Sequence, residues 1–376
     1  MIYLDNAATT KPNETALKKA AVYVTEQYFN PSAPYKAGED LNVALKIARS
    51  NLVRHIADEN VFECIFTSCG TEGDNAAVFA YGRRGNVVTT EVEHSAVLNA
   101  VTELKNRGIA EPRIAKVLAD GRVDIEHLLS LVDEKTTLVS VMHVNNETGA
   151  INDINAIAKA VKEKNPRVVF HSDGVQGYGK IPVKLSSFVD LYAVSAHKIG
   201  GLKGVGALFK KKSLAFRPLI YGGGQESGKR SGTENVFGIK SFEYAAEEKF
   251  KTLEADNKRL YAYQEKMTAL LDGAYFKRIS SKDGSPYILY VSAKILRGEI
   301  IVRLAYDRGL IISTASACSN NSKRRYSRVA LACGLDEKTA DGVLRISFSP
   351  ETTEEEIVKA SEILNAIAKE YAPKMR

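Results

Sequence analysis

Lys198 closes the tetrad Ser195-Ala-His-Lys198, and Asp173 opens Asp173-Gly-Val-Gln176 one strand earlier in the chain. A lysine able to form a Schiff base and a carboxylate able to pair a pyridinium nitrogen are what a protein supplies to make pyridoxal 5'-phosphate (PLP) an electron sink. That pairing sets the expectation of a PLP enzyme. Cys318 narrows the chemistry, because it lies in Ser313-Thr-Ala-Ser-Ala-Cys-Ser-Asn-Asn-Ser322, a run of small polar residues. A thiol on such a segment reads as a mobile nucleophile rather than a packed core residue.

Further candidates follow strand-like runs. Thr67-Ser-Cys-Gly-Thr-Glu72 closes a strand and opens a helix. Free N–H groups at Gly70 and Thr71, with the positive end of the helix dipole, suit an anion such as a phosphate, although capping alone would also explain a threonine there. Cys69 beside them reads as structural. His94 is open to two readings, a satisfied structural imidazole or a ring that stacks on a cofactor and shuttles protons near neutral pH. His143-Val-Asn-Asn-Glu-Thr-Gly149 is a polar turn in which Asn146 could bond at a cofactor–substrate junction. Asp173 needs a partner if buried, and a protonated pyridine nitrogen would be one. Gln176 could reach the ring hydroxyl, and Ser195 and His197 could bond a phosphate. Tyr221-Gly-Gly-Gly-Gln-Glu226, followed by Lys229-Arg-Ser-Gly-Thr-Glu-Asn235, is a flexible Gly-rich loop carrying Arg230 and Thr233, and by itself it reads as surface. Arg345 sits in the apolar run Leu344-Arg-Ile-Ser-Phe348, where capture of a carboxylate is its natural use.

The elements that must position these residues are legible between about residues 60 and 210. Strands are expected at 64–67, 86–90, 113–118, 137–144, 167–171, 191–194 and 205–209, and helices at 71–81, 95–107, 125–132 and 154–163. This alternation predicts an α/β domain with a mostly parallel seven-stranded sheet and helices on both faces. Ligands in such sheets bind beyond the carboxyl ends of the strands, where Thr71, His94, Asn146, Asp173 and Lys198 all fall. A long helical stretch over 234–271 leads to a second pattern, with strands at 287–291, 310–313 and 344–348 and a last helix over 353–371. The division expected is a large domain of residues 14–255 and a smaller α/β domain built from 1–13 and 256–376.

A chain of 376 residues, 44% hydrophobic and 26% charged, has the composition of an ordinary globular protein. No run approaches the roughly 18 apolar residues of a membrane span, and the first residues lack a signal-peptide pattern, so a cytoplasmic location is expected. Its four cysteines show neither metal-ligand spacing nor a disulfide framework; no metal is expected and the thiols should be reduced. The net charge of +7 is dispersed and no aromatic–basic motif occurs, which argues against nucleic acid binding. Lys323, Arg324, Arg325 and Arg328 follow Cys318 closely and are candidates for steering an acidic partner or substrate.

Taken together, Tyr3-Leu-Asp-Asn-Ala-Ala-Thr-Thr10, Asn30-Pro-Ser32, Thr71-Glu72, Glu93-His94, Val141-Met-His-Val-Asn-Asn-Glu147, Asp173 to Gln176, Ser195 to Lys198, Gly222 to Glu226, Arg230 to Thr233 and Ser316-Ala-Cys318 resemble the cysteine desulfurases, within the class V branch of fold-type I PLP enzymes. The resemblance implies L-cysteine as substrate, PLP as cofactor, Lys198 as Schiff-base lysine, Asp173 as the pyridine partner and Gln176 as the ring-hydroxyl partner. It implies His94 as the stacking acid/base, Thr71, Ser195 and His197 around the phosphate, and Asn146 with Arg345 at the substrate carboxylate. It further implies a homodimer in which the Arg230 to Thr233 loop crosses to the neighbour and Thr233 touches its phosphate. Cys69-Gly70 and Ala315 depart from the family pattern without removing a reacting group. The expected reaction yields L-alanine and a Cys318 persulfide, which passes to an acceptor protein in iron–sulfur assembly or thiolation. Alternatives are a selenocysteine lyase, a cysteine sulfinate desulfinase, or a non-catalytic scaffold of the same fold.

Overall fold

The computed structural model describes residues 1–314 and 326–372. Twelve strands occur among them: β1 (Ile2–Tyr3), β2 (Phe62–Thr67), β3 (Asn86–Thr90), β4 (Glu111–Ala115), β5 (Thr136–Ser140), β6 (Val169–Asp173), β7 (Leu191–Ser195), β8 (Gly206–Lys211), β9 (Phe276–Arg278), β10 (Ile288–Ala293), β11 (Leu310–Ile311) and β12 (Val343–Ser347). Seven of them form one sheet in the order β2-β8-β7-β6-β5-β3-β4. Parallel pairing joins β7, β6, β5, β3 and β4. Every residue of β3, β6 and β7 is buried, as parallel strands covered by helices on both faces must be. Only β8 runs against its neighbours, because the short turn from Ala196 to Val205 leaves too little chain for the crossover a parallel neighbour needs. With β8 alone reversed, the other six strands end at one edge.

The expected elements recur with their boundaries shifted by a few residues. The helical stretch expected over 234–271 is two helices, Val236–Lys251 and Leu253–Leu270. It breaks at Thr252, whose hydroxyl turns to Asp256 Oδ2 at 2.7 Å. The 19-residue helix Lys36–Arg54 has no counterpart among the expected elements, although Leu41, Leu45, Ala48 and Leu52 give it a buried stripe of helical period. It packs against β2 and contributes to the apolar cluster that also holds Val88, Val139, Phe170, Tyr192 and Phe242.

A second apolar cluster gathers Ile2, Leu4, Leu260, Leu289, Ile301, Ile346 and Leu364 around the antiparallel sheet β12-β10-β9. The first residues of the chain are stitched into it. β1 pairs in parallel with β11, Leu4 N donates to Ile311 O at 2.9 Å, and Ser347 N donates to Leu4 O at 2.7 Å. The chain then runs on along the sheet edge, where Thr10 N donates to His197 O at 3.0 Å. Residues 5–10 thus lie between the two clusters, against the turn that carries Lys198. Among the described residues no helix is long and apolar enough to cross a membrane.

Candidate active site

At the carboxyl edge of the large sheet a cavity of about 200 Å³ is lined by Gly70, Thr71, His94, Asn146, Asp173, Gln176, Ser195, His197, Lys198 and Arg345, together with Ala7, Cys69, Asp74, Met142 and Val175. Each expected side chain arrives from its own strand end. β2 leads to Gly70 and Thr71, β3 to His94, β5 to Asn146, β6 to Asp173 and Gln176, and β7 to Ser195, His197 and Lys198. Arg345 comes from β12 on the other side. A second hollow, of about 230 Å³, is lined by charges that already pair with one another, Arg49 with Glu226 and Lys229 with Glu63, and offers no comparable set of groups.

One end of the cavity suits an anion. The helix Gly70–Tyr81 starts there, and its N-cap residue Cys69 makes no side-chain capping bond. Ser195 Oγ is buried and has no hydrogen-bond partner among the described residues. His197 uses Nδ1 on Thr9 Oγ1 at 3.1 Å, which leaves Nε2 for a ligand. Burial and the neighbouring lysines, Lys198 first, hold that ring at about 4, so it is neutral near pH 7. Gly70 is needed for close approach, since a Cβ there would lie 2.6 Å from Val175 Cγ2. Helix N-terminus, unbonded hydroxyl and neutral imidazole together suit an anion such as a phosphate.

In the middle of the cavity stand Asp173, His94 and Lys198. Asp173 accepts from Val175 N at 2.9 Å through Oδ1. Burial raises its carboxyl above the usual range, while His94 and Lys198 pull the other way. The histidine accepts from Ala96 N at 3.1 Å through Nδ1, capping its own helix, so its ring proton sits on Nε2. Burial lowers its pKa. Lys198 Nζ donates to the carbonyls of Ala7 and Ala8, each at 2.7 Å, and is thereby held by the N-terminal segment.

The far wall is Arg345, 2% exposed. Its Nη2 donates to Asp5 Oδ1 at 2.8 Å and its Nη1 to the Asn146 carbonyl at 3.0 Å, while Nε is buried without a partner among the described residues. The arginine that needed a partner therefore has one in Asp5 and still holds an unused donor. Asn146 meets it through the backbone.

Other expectations part from the cavity. Cys318, Lys323, Arg324 and Arg325 lie outside the described residues. Thr233 is exposed and lines a separate hollow with Thr67, Ser68 and Arg230, and Arg230 Nε donates to Glu72 Oε1 at 2.9 Å. Cys69 is partly exposed on the cavity wall. Arg328, half-buried, donates through Nη2 to the Glu93 carbonyl at 2.7 Å, on the helix that Ser327 starts. The Gly-rich loop is not uniformly flexible surface, since Glu226 is buried, accepts from Phe66 N at 2.9 Å and pairs with Arg49. Asp5, Ala7, Asp74 and Lys180 were missed. Lys180 had a local signal, four residues after Gln176 across a glycine turn; the others are brought in only by tertiary packing.

The sequence matches the Aminotransferase class-V family over residues 2–359, and the chain belongs to that family. Within it the chain is a member of the cysteine desulfurases. It is 36% identical to a cysteine desulfurase of Nostoc sp., over 98% of this chain and 92% of the relative, and 35% identical to the cysteine desulfurase NifS of Azotobacter vinelandii, over 95% and 90%. Among solved structures, a NifS-like protein superposes with a TM-score of 0.91 at 34% identity, covering 98% of this chain and 99% of the other. SspA in complex with cysteine gives 0.81 at 28% identity, covering 94% and 100%.

Proposed function

We propose that the protein is a PLP-dependent cysteine desulfurase that converts L-cysteine to L-alanine, takes the sulfur onto Cys318 as a persulfide and passes it to an acceptor. The observation that carries the reading is the convergence of Lys198, Asp173, His94 and an anion cradle on one cavity whose far wall is a buried arginine with a free Nε.

PLP, when bound, supplies a sink for the electron pair left when a proton leaves the substrate's Cα. The N–H groups of Gly70 and Thr71, Ser195 Oγ and His197 Nε2 hold its phosphate. Asp173 pairs the pyridine nitrogen, and a cation there recovers the cost that burial imposes on the carboxylate. Gln176 offers an amide N–H to the ring hydroxyl. Lys198 would link to the cofactor when it is bound, and its Nζ would take and return the Cα proton. His94 would lie against the ring and, with its proton on Nε2, could give that proton in the reaction. Arg345 Nε, beside the Asn146 carbonyl, takes the substrate carboxylate. The Cys318 thiolate attacks the substrate sulfur; the new S–S bond forms as the Cβ–S bond breaks, its electron pair stays with Cβ, and Cβ takes up a proton to give alanine.

The same reading has the protein act as a cytoplasmic homodimer, and Thr233, exposed and outside the cavity of its own chain, is free to reach a partner's phosphate. Two separate apolar clusters support a large domain of residues 14–255 and a small one of 1–13 with 256–376. The acceptor is an iron–sulfur scaffold or a thiolation enzyme. Purified protein reconstituted with PLP, given L-cysteine and excess reductant, should release alanine and sulfide in equal amounts over many turnovers. Lys198→Ala should release neither. Sulfite or selenide release outpacing sulfide on the corresponding substrates would favour the desulfinase or lyase reading instead.

A further inference from the structure

Lys180 is 2% exposed, yet no carboxylate lies within 4.0 Å of it among the described residues. Its Nζ donates instead to Gln176 Oε1 at 2.7 Å and stands 5.7 Å from the Tyr287 ring centroid. Gly179, at φ +65°, turns the chain so that Lys180 points back four residues. Gln176 in turn donates through Nε2 to the Ala7 carbonyl at 2.8 Å, the same oxygen that accepts from Lys198 Nζ. A side-chain amide can face either way in its plane. Here a donor on one side and a carbonyl on the other permit a single orientation, with Oε1 toward Lys180 and the second N–H of Nε2 left for the cavity.

We propose that Lys180 is a positioning residue that fixes the Gln176 amide so that its N–H, not its oxygen, meets the cofactor's ring hydroxyl, and that ties this contact to Lys198 through the Ala7 carbonyl. The inference rests on the reading of the cavity as a PLP site. Burial pushes the Lys180 ammonium well below the ordinary lysine range, and the charges acting on it, Lys198, Lys249 and Arg345, are all cationic. Nζ has the Gln176 oxygen as its acceptor at 2.7 Å, and losing it removes one of the two partners that orient the amide, leaving only the Ala7 carbonyl.

The test follows the visible absorbance of the lysine-bound cofactor against pH in wild type, Lys180→Met, Lys180→Arg, Gln176→Leu and the double variant. An N–H bond to the ring oxygen stabilises that oxygen's charge once the neighbouring proton has left, so its loss raises the midpoint. Lys180→Met should raise it by about 0.4–1 pH unit and weaken cofactor binding, Lys180→Arg should restore it, and the double variant should match Gln176→Leu alone. A Lys180→Met enzyme with the wild-type midpoint, or additive shifts in the double variant, overturns the proposal, and a lowered Tm with no spectral change assigns Lys180 to packing. If wild type itself forms no visible band with PLP, the reading of the cavity fails first.

Discussion

Arg345→Lys keeps the positive charge in the wall of the cavity and removes its shape. The native guanidinium spends Nη2 on Asp5 and Nη1 on the Asn146 carbonyl, and its Nε, buried without a partner among the described residues, is the donor proposed for the substrate carboxylate. A planar fork can serve fixed partners and a substrate carboxylate at once, whereas an ammonium is one donor centre on a flexible stem. Each charge-assisted hydrogen bond contributes ~1.5–3 kcal/mol. With lysine drawn to the Asp5 carboxylate, the substrate loses about one such bond and part of a second, roughly 2–3 kcal/mol, equivalent to about a 30- to 200-fold fall in kcat/KM. The carboxylate is bound alike before and during the chemistry, so the loss should fall mainly on KM. Steady-state alanine formation from L-cysteine measures it, and inhibition by added L-alanine should weaken by the same factor. An Arg345→Lys enzyme within about threefold of wild type in kcat/KM, or one impaired only in kcat, would refute this assignment of the carboxylate site.

Glu93 is fully buried, accepts from Met142 N at 2.7 Å, and is pushed by that burial to about 8. A carboxyl whose folded pKa exceeds its unfolded value adds stability that is complete below pH ~4.3 and is lost as pH rises toward the folded value. Wild-type Tm should therefore decline from about pH 5 to about pH 8, and Glu93→Gln, which keeps the acceptor for Met142, should flatten that decline; parallel slopes in the two proteins would count against it. Gly174→Ala would place a Cβ 2.0 Å from Cζ of the buried Tyr192 ring. Overpacking of this kind costs ~1–3 kcal/mol beside Asp173, visible as a lowered Tm and weaker PLP binding, with partial recovery when Tyr192→Leu is added. Cys318→Ser should keep the PLP spectrum and lose persulfide formation.

Much of the site was legible because a parallel sheet sends its functional residues to one edge, so Thr71, His94, Asn146, Asp173 and Lys198 could be placed together from strand ends alone. Charged residues in apolar surroundings were equally readable, as Arg345 was, but their partners were not. Asp5 is 340 residues from Arg345, and nothing local to either announces the pair. The carbonyls of Ala7 and Ala8 are invisible for a related reason, since backbone acceptors carry no residue signature. The direction of Arg328 depended on where its helix docks. Helix Lys36–Arg54 was readable from its leucine spacing, whereas the break at Thr252 turned on one hydroxyl bond inside an otherwise continuous helical pattern.

The proposed chemistry turns on sulfur leaving L-cysteine onto Cys318. A single turnover without reductant, followed by mass analysis of the peptide that carries Cys318, tests it directly. Alanine should equal the enzyme present and that peptide should be heavier by one sulfur atom, with neither change in Lys198→Ala. Alanine formed with Cys318 unmodified, or the added sulfur found on Cys69 at the cavity wall, would contradict it.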